Sequence, residues 1–308
     1  MTKVFIDGSA GTTGLRIRER LSARKDLELL TLPEEKRKDP AARAELLNQA
    51  RVSFLCLPDD AAREAVSLVQ SPDAVIIDTS TAHRTAAGWI YGFPELKGQR
   101  EKIVSSHRIA NPGCHASGFI SLVAPLVQAG FLSSEARLSC FSLTGYSGGG
   151  KKMIAAYEDA ARSVLLQAPR QYGLSQLHKH LPEMSAVCAL KHAPVFCPVV
   201  APYYAGMEVT VPLTRAETSA SPEEIRDVYR EYYHSGLIRF ADSPEEDGFL
   251  SAGAFAGRDD MEISVFGTEE RILLVSRFDN LGKGASGAAI QNMNLVLGDD
   301  EAFGLIRE

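Results

Sequence analysis

The stretch "KVFIDGSAGTTGLRIRERLSAR", residues 3–24, decides the fold of this chain. Lys3 to Asp7 is a short run of β-type residues, and "GSAGTTG" then breaks it. Leu15, Ile17 and Leu21 supply the apolar stripe of a helix. The order is strand, glycine turn, helix, and the next hundred residues repeat it. "DLELLTL" predicts a second strand, "DPAARAELLNQA" a helix opened by Asp39 and Pro40, and "RVSFLCLPD" a third strand. "DAAREAVSLVQ" predicts a helix, "DAVIIDTS" a fourth strand, and "KIVSSHRIANPG" another strand leading to Cys114. Strands alternating with helices at this spacing imply a parallel sheet with helices on both faces.

Beyond about Val127 the pattern changes. "ARLSCFSLTGYSGGG", "MEVTVPLT", "MEISVFG" and "ERILLVSRFDN" are strand-like runs with long connections, which predicts a second domain built on a mostly antiparallel sheet. "GASGAAIQNMNLVLG" predicts a closing helix that returns to the first domain and makes it discontinuous. The expected division is 1–113 with 285–308, and 114–284.

The 308 residues are 45% hydrophobic and 23% charged, an ordinary balance for a globular chain able to bury a large core. A net charge of −6 and a pI near 5.7 disfavour nucleic acid or an anionic membrane as partner, so an anionic substrate would need a local basic pocket. The start, "MTKVFIDGSAG", has neither the basic region nor the long apolar run of a leader, and a cytoplasmic protein is expected. Five cysteines with no C-x-x-C pair point to thiols, not to disulfides or a structural zinc site.

Gly8, Gly11 and Gly14 stand between the first strand and the first helix. Backbone approaches a pyrophosphate closely only where no Cβ intervenes, and a helix N-terminus favours negative charge. The loop therefore reads as dinucleotide-binding, with Ser9, Thr12 and Thr13 as further contacts. The second strand ends at Leu32 and Pro33, followed by "EEKRKD". Lys36, Arg37 and Lys38 favour NADP through its 2′-phosphate, while Glu34 or Glu35 leaves NAD open.

Cys114 differs from Cys56, Cys140, Cys188 and Cys197, which lie in apolar or strand-like runs. Pro112 and Gly113 end the preceding strand, so Cys114 falls at the first turn of a helix marked by Phe119, Leu122, Val123 and Leu126. Unpaired amides and the helix dipole stabilise a thiolate there and lower its pKa toward neutrality. From these residues alone, a nucleophile and a buried structural thiol both remain open. Gly118 would allow close packing beside it, and Asn111 would fix the turn or touch the cofactor.

"ANPGCHASG" resembles the nucleophile segment of the N-acetyl-γ-glutamyl-phosphate reductases, relatives of aspartate-semialdehyde dehydrogenase. "GSAGTTG", "DTSTAHR", "YGFPEL", "TGYSGGGKK", "HKHLPE" and "NLGKGASGAAIQNMN" agree with that family in order and span the chain. The short length and "STAHR" match its compact bacterial form. Where the commoner pattern reads N-P-G-C-Y-P-T, this chain has Cys-His-Ala-Ser.

The resemblance implies an α/β fold, a Rossmann-type NADP-binding domain plus an α+β catalytic and oligomerisation domain. It also implies NADPH-dependent reduction of an acyl phosphate in arginine biosynthesis, with inorganic phosphate as co-product. Cys114 would attack the acyl carbon to form a thioester. His178 would be the acid/base and His180 a substrate contact, with the reverse assignment open; two residues apart in an extended segment, both would point to one face. Glu183, Arg84, Arg108, Ser147 and Lys151 are the expected substrate contacts, with Lys152 behind Lys151. Ser80, Gly148, Lys283, Gly284 and Asn292 join the glycine loop as expected cofactor contacts. His83, His107, His115, His192 and His234 read as surface or satisfied core residues, His115 least securely because it adjoins the cysteine. No metal is expected, since nothing completes a site around His178, His180 and Glu183. A homo-oligomer, dimer or tetramer, is expected. Competing readings are a reductase of aspartyl or carrier-linked aminoadipyl phosphate, and a nucleotide-binding redox sensor that uses Cys114.

Overall fold

The computed structural model describes residues 1–234 and 236–307. The chain divides into two compact units, Met1–Gly113 with Ala285–Leu305, and Cys114–Gly284 with the tail from Ile306. The sequence assigned that tail to the first domain. It joins the second because the Asp259 amide donates to the Ile306 carbonyl (2.6 Å) and the Ile306 amide to Asp259 Oδ2 (2.9 Å).

The first unit opens with β1 (Thr2–Asp7), α1 (Thr12–Ser22), β2 (Leu27–Leu30), α2 (Pro40–Gln49) and β3 (Val52–Leu55). It continues through α3 (Asp59–Ser67), β4 (Val75–Asp78), β5 (Ile90–Tyr91), α4 (Gln99–Val104) and β6 (Arg108–Ala110). Its six strands form a wholly parallel sheet in the order β2-β1-β3-β4-β6-β5. Alternate residues of β1 serve the two faces. Val4 and Ile6 pack with Ile17 and Leu21 of α1, whereas Phe5 packs with Leu47 of α2 and Ala62 and Ala65 of α3. Both faces are covered, as a parallel sheet requires. The "KIV" expected to begin the last strand instead ends α4, and only Arg108–Ala110 is extended.

The second unit begins at Cys114, the first residue of α5 (Cys114–Gln128). Then come β7 (Ser139–Gly145), α6 (Gly150–Glu158), β8 (Arg170–Gln171), α7 (Leu181–Val187) and β9 (Val195–Ala201). They are followed by β10 (Met207–Thr214), α8 (Pro222–Tyr232), β11 (Ile238–Phe240), β12 (Met261–Thr268) and β13 (Arg271–Phe278). The seven-stranded sheet runs β11-β12-β13-β10-β7-β9-β8 and is mixed, since β7 pairs β9 and β11 pairs β12 in parallel. The strand β9 escapes the sequence pattern because "VFCPVVA" does not alternate and carries Pro198.

From His115 to Leu126 every residue of α5 is buried, the mark of a core helix. Each fully buried Phe or Leu there, such as Phe119 and Leu122, contributes about 1.5–3 kcal/mol. Gly118 is where the helix meets the sheet. A Cβ there would lie 2.4 Å from Val209 Cγ2 and 2.9 Å from Ser276 Oγ, so the approach needs glycine. A π-helical turn, Gly282–Ser286, precedes α9 (Gly287–Leu297), whose Ile290 and Met293 complete the core of the first unit.

Candidate active site

In the first unit the glycine loop leaves the carboxyl end of β1, where the strand order reverses between β2 and β3, the usual ligand crevice of such sheets. The three glycines differ in purpose. Gly8 has φ +86° and a Cβ on it would lie 2.2 Å from the Cys56 carbonyl oxygen; one on Gly14 would lie 2.6 Å from the Gly8 carbonyl oxygen. Both are demanded by the fold. Gly11, with φ −72° at the N-cap of α1 and only ordinary contacts around its missing Cβ, is not. Its openness suits a close-approaching ligand. Thr12 Oγ1 beside it is buried with no hydrogen-bond partner among the described residues. An orphaned hydroxyl at a helix N-terminus with open amides fits a phosphate oxygen.

A cavity of about 170 Å³ adjoins this loop, lined by Gly8, Ser9, Ala10, Leu30, Thr31, Leu32 and two arginines, Arg18 and Arg37. Lys36 and Lys38 are exposed and do not line it. Arg18 was not anticipated, although it lies one helical turn beyond Gly14 on α1, the spacing that shares a face. The carboxylate lining the cavity is Asp7, which accepts from Arg43 Nε at 3.0 Å in a buried pair. Burial raises the Asp7 pKa against the opposing pull of Arg43.

Other expected contacts in this unit are tied internally. Asp78 accepts from the Ser80 amide and hydroxyl (2.9 and 2.8 Å) and pairs with His83 Nδ1 at 2.6 Å; His83 stacks on Trp89. Arg84 donates to the Asn111 and Thr79 carbonyls. Asn111 donates to the Ala285 carbonyl. Asn292 donates to the Gly92 carbonyl at 2.9 Å and its Oδ1 is buried without a partner among the described residues. Arg108 corrects the expectation made for it. It starts β6, and its guanidinium donates to the Ala74 and His107 carbonyls at the amino ends of the strands, opposite the glycine loop. Desolvation by burial lowers its pKa.

In the second unit Cys114 is the first residue of a long helix, the end at which the helix dipole favours negative charge. Gly284 lies against it, close enough that a Cβ would sit 2.9 Å from Cys114 Cβ. Asp279 shapes that turn by accepting from the Leu281 and Gly282 amides at 2.6 and 2.9 Å. Lys283 is buried at 1% exposure.

The histidines converge next to the cysteine. The His115 ring centre is 5.6 Å from that of His178 and 5.5 Å from that of His180, which are 4.8 Å apart and perpendicular. They meet for a different reason than expected. The segment is not extended; the His180 amide donates to His178 Nδ1 at 3.2 Å, and His180 caps α7 with φ −87° and ψ −13°. Glu183 is buried in the first turn of that helix.

His115 is neither a surface residue nor an isolated core one. It is 3% exposed, with Nδ1 2.7 Å from Ser142 Oγ and Nε2 2.6 Å from Tyr172 Oη. Burial, helped by the charges of His178 and Lys179, pushes its pKa down to about 3. Ser142 and Tyr172 were missed. Tyr172 had one signal, an aromatic six residues before His178. Burial and the nearby Cys114 charge raise the Tyr172 pKa.

Ser147 is fully buried and accepts from Asn280 Nδ2 at 2.9 Å, which pins the Tyr146–Gly149 turn; Gly148 abuts the same amide. Lys151 and Lys152 are exposed on the first turn of α6. Elsewhere burial raises the Cys56 thiol to about 12 and pushes Cys140 and Cys188 up as well. No group of three or more metal-ligating side chains is present among the described residues. No helix among them is long and apolar enough to cross a membrane.

Two family models match, the semialdehyde dehydrogenase NAD binding domain over residues 33–106 and the semialdehyde dehydrogenase dimerisation domain over residues 114–280. N-acetyl-gamma-glutamyl-phosphate reductase 2 of Nostoc sp. is 46% identical, covering 98% of this chain and 99% of its own. N-acetyl-gamma-glutamyl-phosphate reductase of Brucella ovis is 47% identical over 96% of this chain and 99% of its own. Among solved structures, an aspartate semialdehyde dehydrogenase II of Vibrio cholerae shares the fold, with TM-score 0.71 at 17% identity over 97% of this chain and 99% of that one. With near-full-length identity at this level, the chain belongs to the semialdehyde dehydrogenase family, among its N-acetyl-γ-glutamyl-phosphate reductases.

Proposed function

We propose that this protein is a cytoplasmic, NADP-dependent N-acetyl-γ-glutamyl-phosphate reductase of arginine biosynthesis, working through a thioester on Cys114. The observation that carries the reading is the convergence of His178, His180 and Tyr172 on the residue that follows a helix-opening cysteine. The N-terminal end of the α5 dipole favours negative charge on Cys114 Sγ. The sulfur attacks the acyl carbon, the bond from that carbon to the phosphoryl oxygen breaks, and inorganic phosphate leaves. The bound cofactor supplies the hydride that reduces the thioester. His178 then manages the proton on the reacting oxygen. Because its Nδ1 accepts the His180 amide, the neutral ring carries its proton on Nε2 and can lend it to a developing alkoxide. When that oxygen gives its proton back, the carbon–sulfur bond breaks and the aldehyde leaves. His180, Glu183 and Arg84 are the proposed substrate contacts; Ser147 and Lys151 keep that role only through the order of the turn they bracket.

For the cofactor, Gly11 and Thr12 would hold the pyrophosphate. Arg18 and Arg37 would take the 2′-phosphate, supported by a lining whose carboxylate is already engaged by Arg43. Ser9, Thr13, Ser80, Gly284, Lys283 and Asn292 stand as further contacts, the buried Oδ1 of Asn292 being open to a donor. A homo-oligomer is supported by Phe141, Val195 and Leu273. They are 46%, 58% and 43% exposed on one face of the second sheet, the face opposite α5.

The test supplies N-acetylglutamate 5-semialdehyde, phosphate and NADP+ and follows reduced cofactor. The reading predicts turnover with this aldehyde and little with aspartate semialdehyde. The reverse preference would reassign the substrate, and inertness with both would favour a redox sensor.

A further inference from the structure

The neutral imidazole of His115 has one proton to place between two partners, and the positions of those partners decide where it goes. Ser142 is fully buried on the face of β7 that meets α5. Among the described residues, the one hydrogen-bond partner of its hydroxyl is His115 Nδ1. If Nδ1 carried the proton, Ser142 would accept it and its own hydroxyl hydrogen would be buried with nowhere to go. Tyr172 is only partly buried, so its phenolic hydrogen can turn outward at smaller cost than that of fully buried Ser142, and the Ser142 hydroxyl therefore donates to Nδ1. The His115 proton then sits on Nε2, where it donates to Tyr172 Oη at 2.6 Å.

This leaves the phenolic hydrogen of Tyr172. It cannot point at an Nε2 that already bears a proton, and no other described group receives it. Burial and the adjacent Cys114 charge both raise the Tyr172 pKa, so the phenol stays protonated and lies within the field of the sulfur. The ring also packs edge-on against the His178 cluster, 5.9 Å between centres. We infer that Tyr172 is a catalytic hydrogen-bond donor to the reacting carbonyl oxygen, and that His115, locked by Ser142 with its proton on Nε2, is the positioning residue that turns the phenolic hydrogen into the site. The inference rests on the proposed thioester chemistry.

The test uses the full-length protein in the semialdehyde assay, with iodoacetamide alkylation of Cys114 as a second readout that forms no oxyanion. Tyr172→Phe is expected to lower kcat about 100-fold, with KM and alkylation rate within about threefold of wild type. His115→Phe should lose a similar amount, and adding it to Tyr172→Phe should cost little more, as expected for groups acting as one unit. His115→Gln restores an N–H near the Nε2 position and should recover most of the activity. The relay is overturned if Tyr172→Phe keeps normal kcat, if alkylation falls in step with turnover, or if His115→Gln is no better than His115→Phe. Cys114→Ala separates the layers: retained turnover would remove the thioester chemistry itself, whatever Tyr172→Phe does.

Discussion

The glycine loop of the first unit and the cysteine cluster of the second are both prepared for negative charge, but they are built differently. The loop is made of seven consecutive residues, Gly8 to Gly14, and its shape depends on side chains missing at Gly8 and Gly14. The cluster is made of side chains from residues 114–115, 142, 172 and 178–180, supplied by a core helix, a strand and the connection between β8 and α7. A local site tolerates change according to what each Cβ would strike. An assembled site fails according to which proton or bond is removed.

The largest effect should come from the assembled site. Cys114→Ala is expected to reduce turnover by about 10⁴-fold or more, because the proposed thioester could no longer form; steady-state rates check it. Next, His178→Ala should cost about 10²–10⁴-fold in kcat, with the alkylation of Cys114 largely preserved. Equal loss in both assays would make His178 a structural support of the cysteine.

Two substitutions of the same kind separate the loop's internal demands from its ligand's. Gly8→Ala forces a left-handed φ of +86° on alanine and drives a Cβ into the Cys56 carbonyl, so Tm should fall by an amount matching about 1–3 kcal/mol or more. Gly11→Ala meets only ordinary contacts and should leave Tm unchanged while raising KM for NADPH several-fold. A Tm loss at both positions would mean that the loop is merely tight. Smaller still, Arg37→Ala should narrow the preference for NADPH over NADH about tenfold, read as the ratio of kcat/KM values.

The same contrast explains what could be read from residues alone. The parallel sheet and the glycine loop were legible because they follow from local alternation and from consecutive residues. Cys114 was legible because Pro112 and Gly113 mark a helix start. Ser142 and Tyr172 were not, because nothing in "CFSLTG" or "RQYGLSQ" records that strand β7 and the loop after β8 meet beside α5. The pairing of His178 and His180 was anticipated from an extended period of two, but a turn produces it. Arg108 was misplaced because its nearness to Cys114 in the chain hid the strand direction, which sends its side chain to the other end of the sheet.

The smallest predicted effect is a pH signature of the cluster. His115 is held near a pKa of about 3 when folded, against an ordinary 6.5. Between these values the unfolded chain binds a proton that the folded chain does not, so this residue makes stability fall as pH drops from 6.5 toward 3. His115→Gln should flatten that part of the Tm–pH curve, measured by thermal denaturation.

The thioester can be sought directly by mixing enzyme, N-acetylglutamate 5-semialdehyde and NADP+ without phosphate and mapping the protein by mass spectrometry. One N-acetylglutamyl group on Cys114, formed with one equivalent of reduced cofactor and released on adding phosphate, is the predicted result. Reduced cofactor produced with Cys114 unmodified, or an acyl group trapped on a different residue, would contradict it.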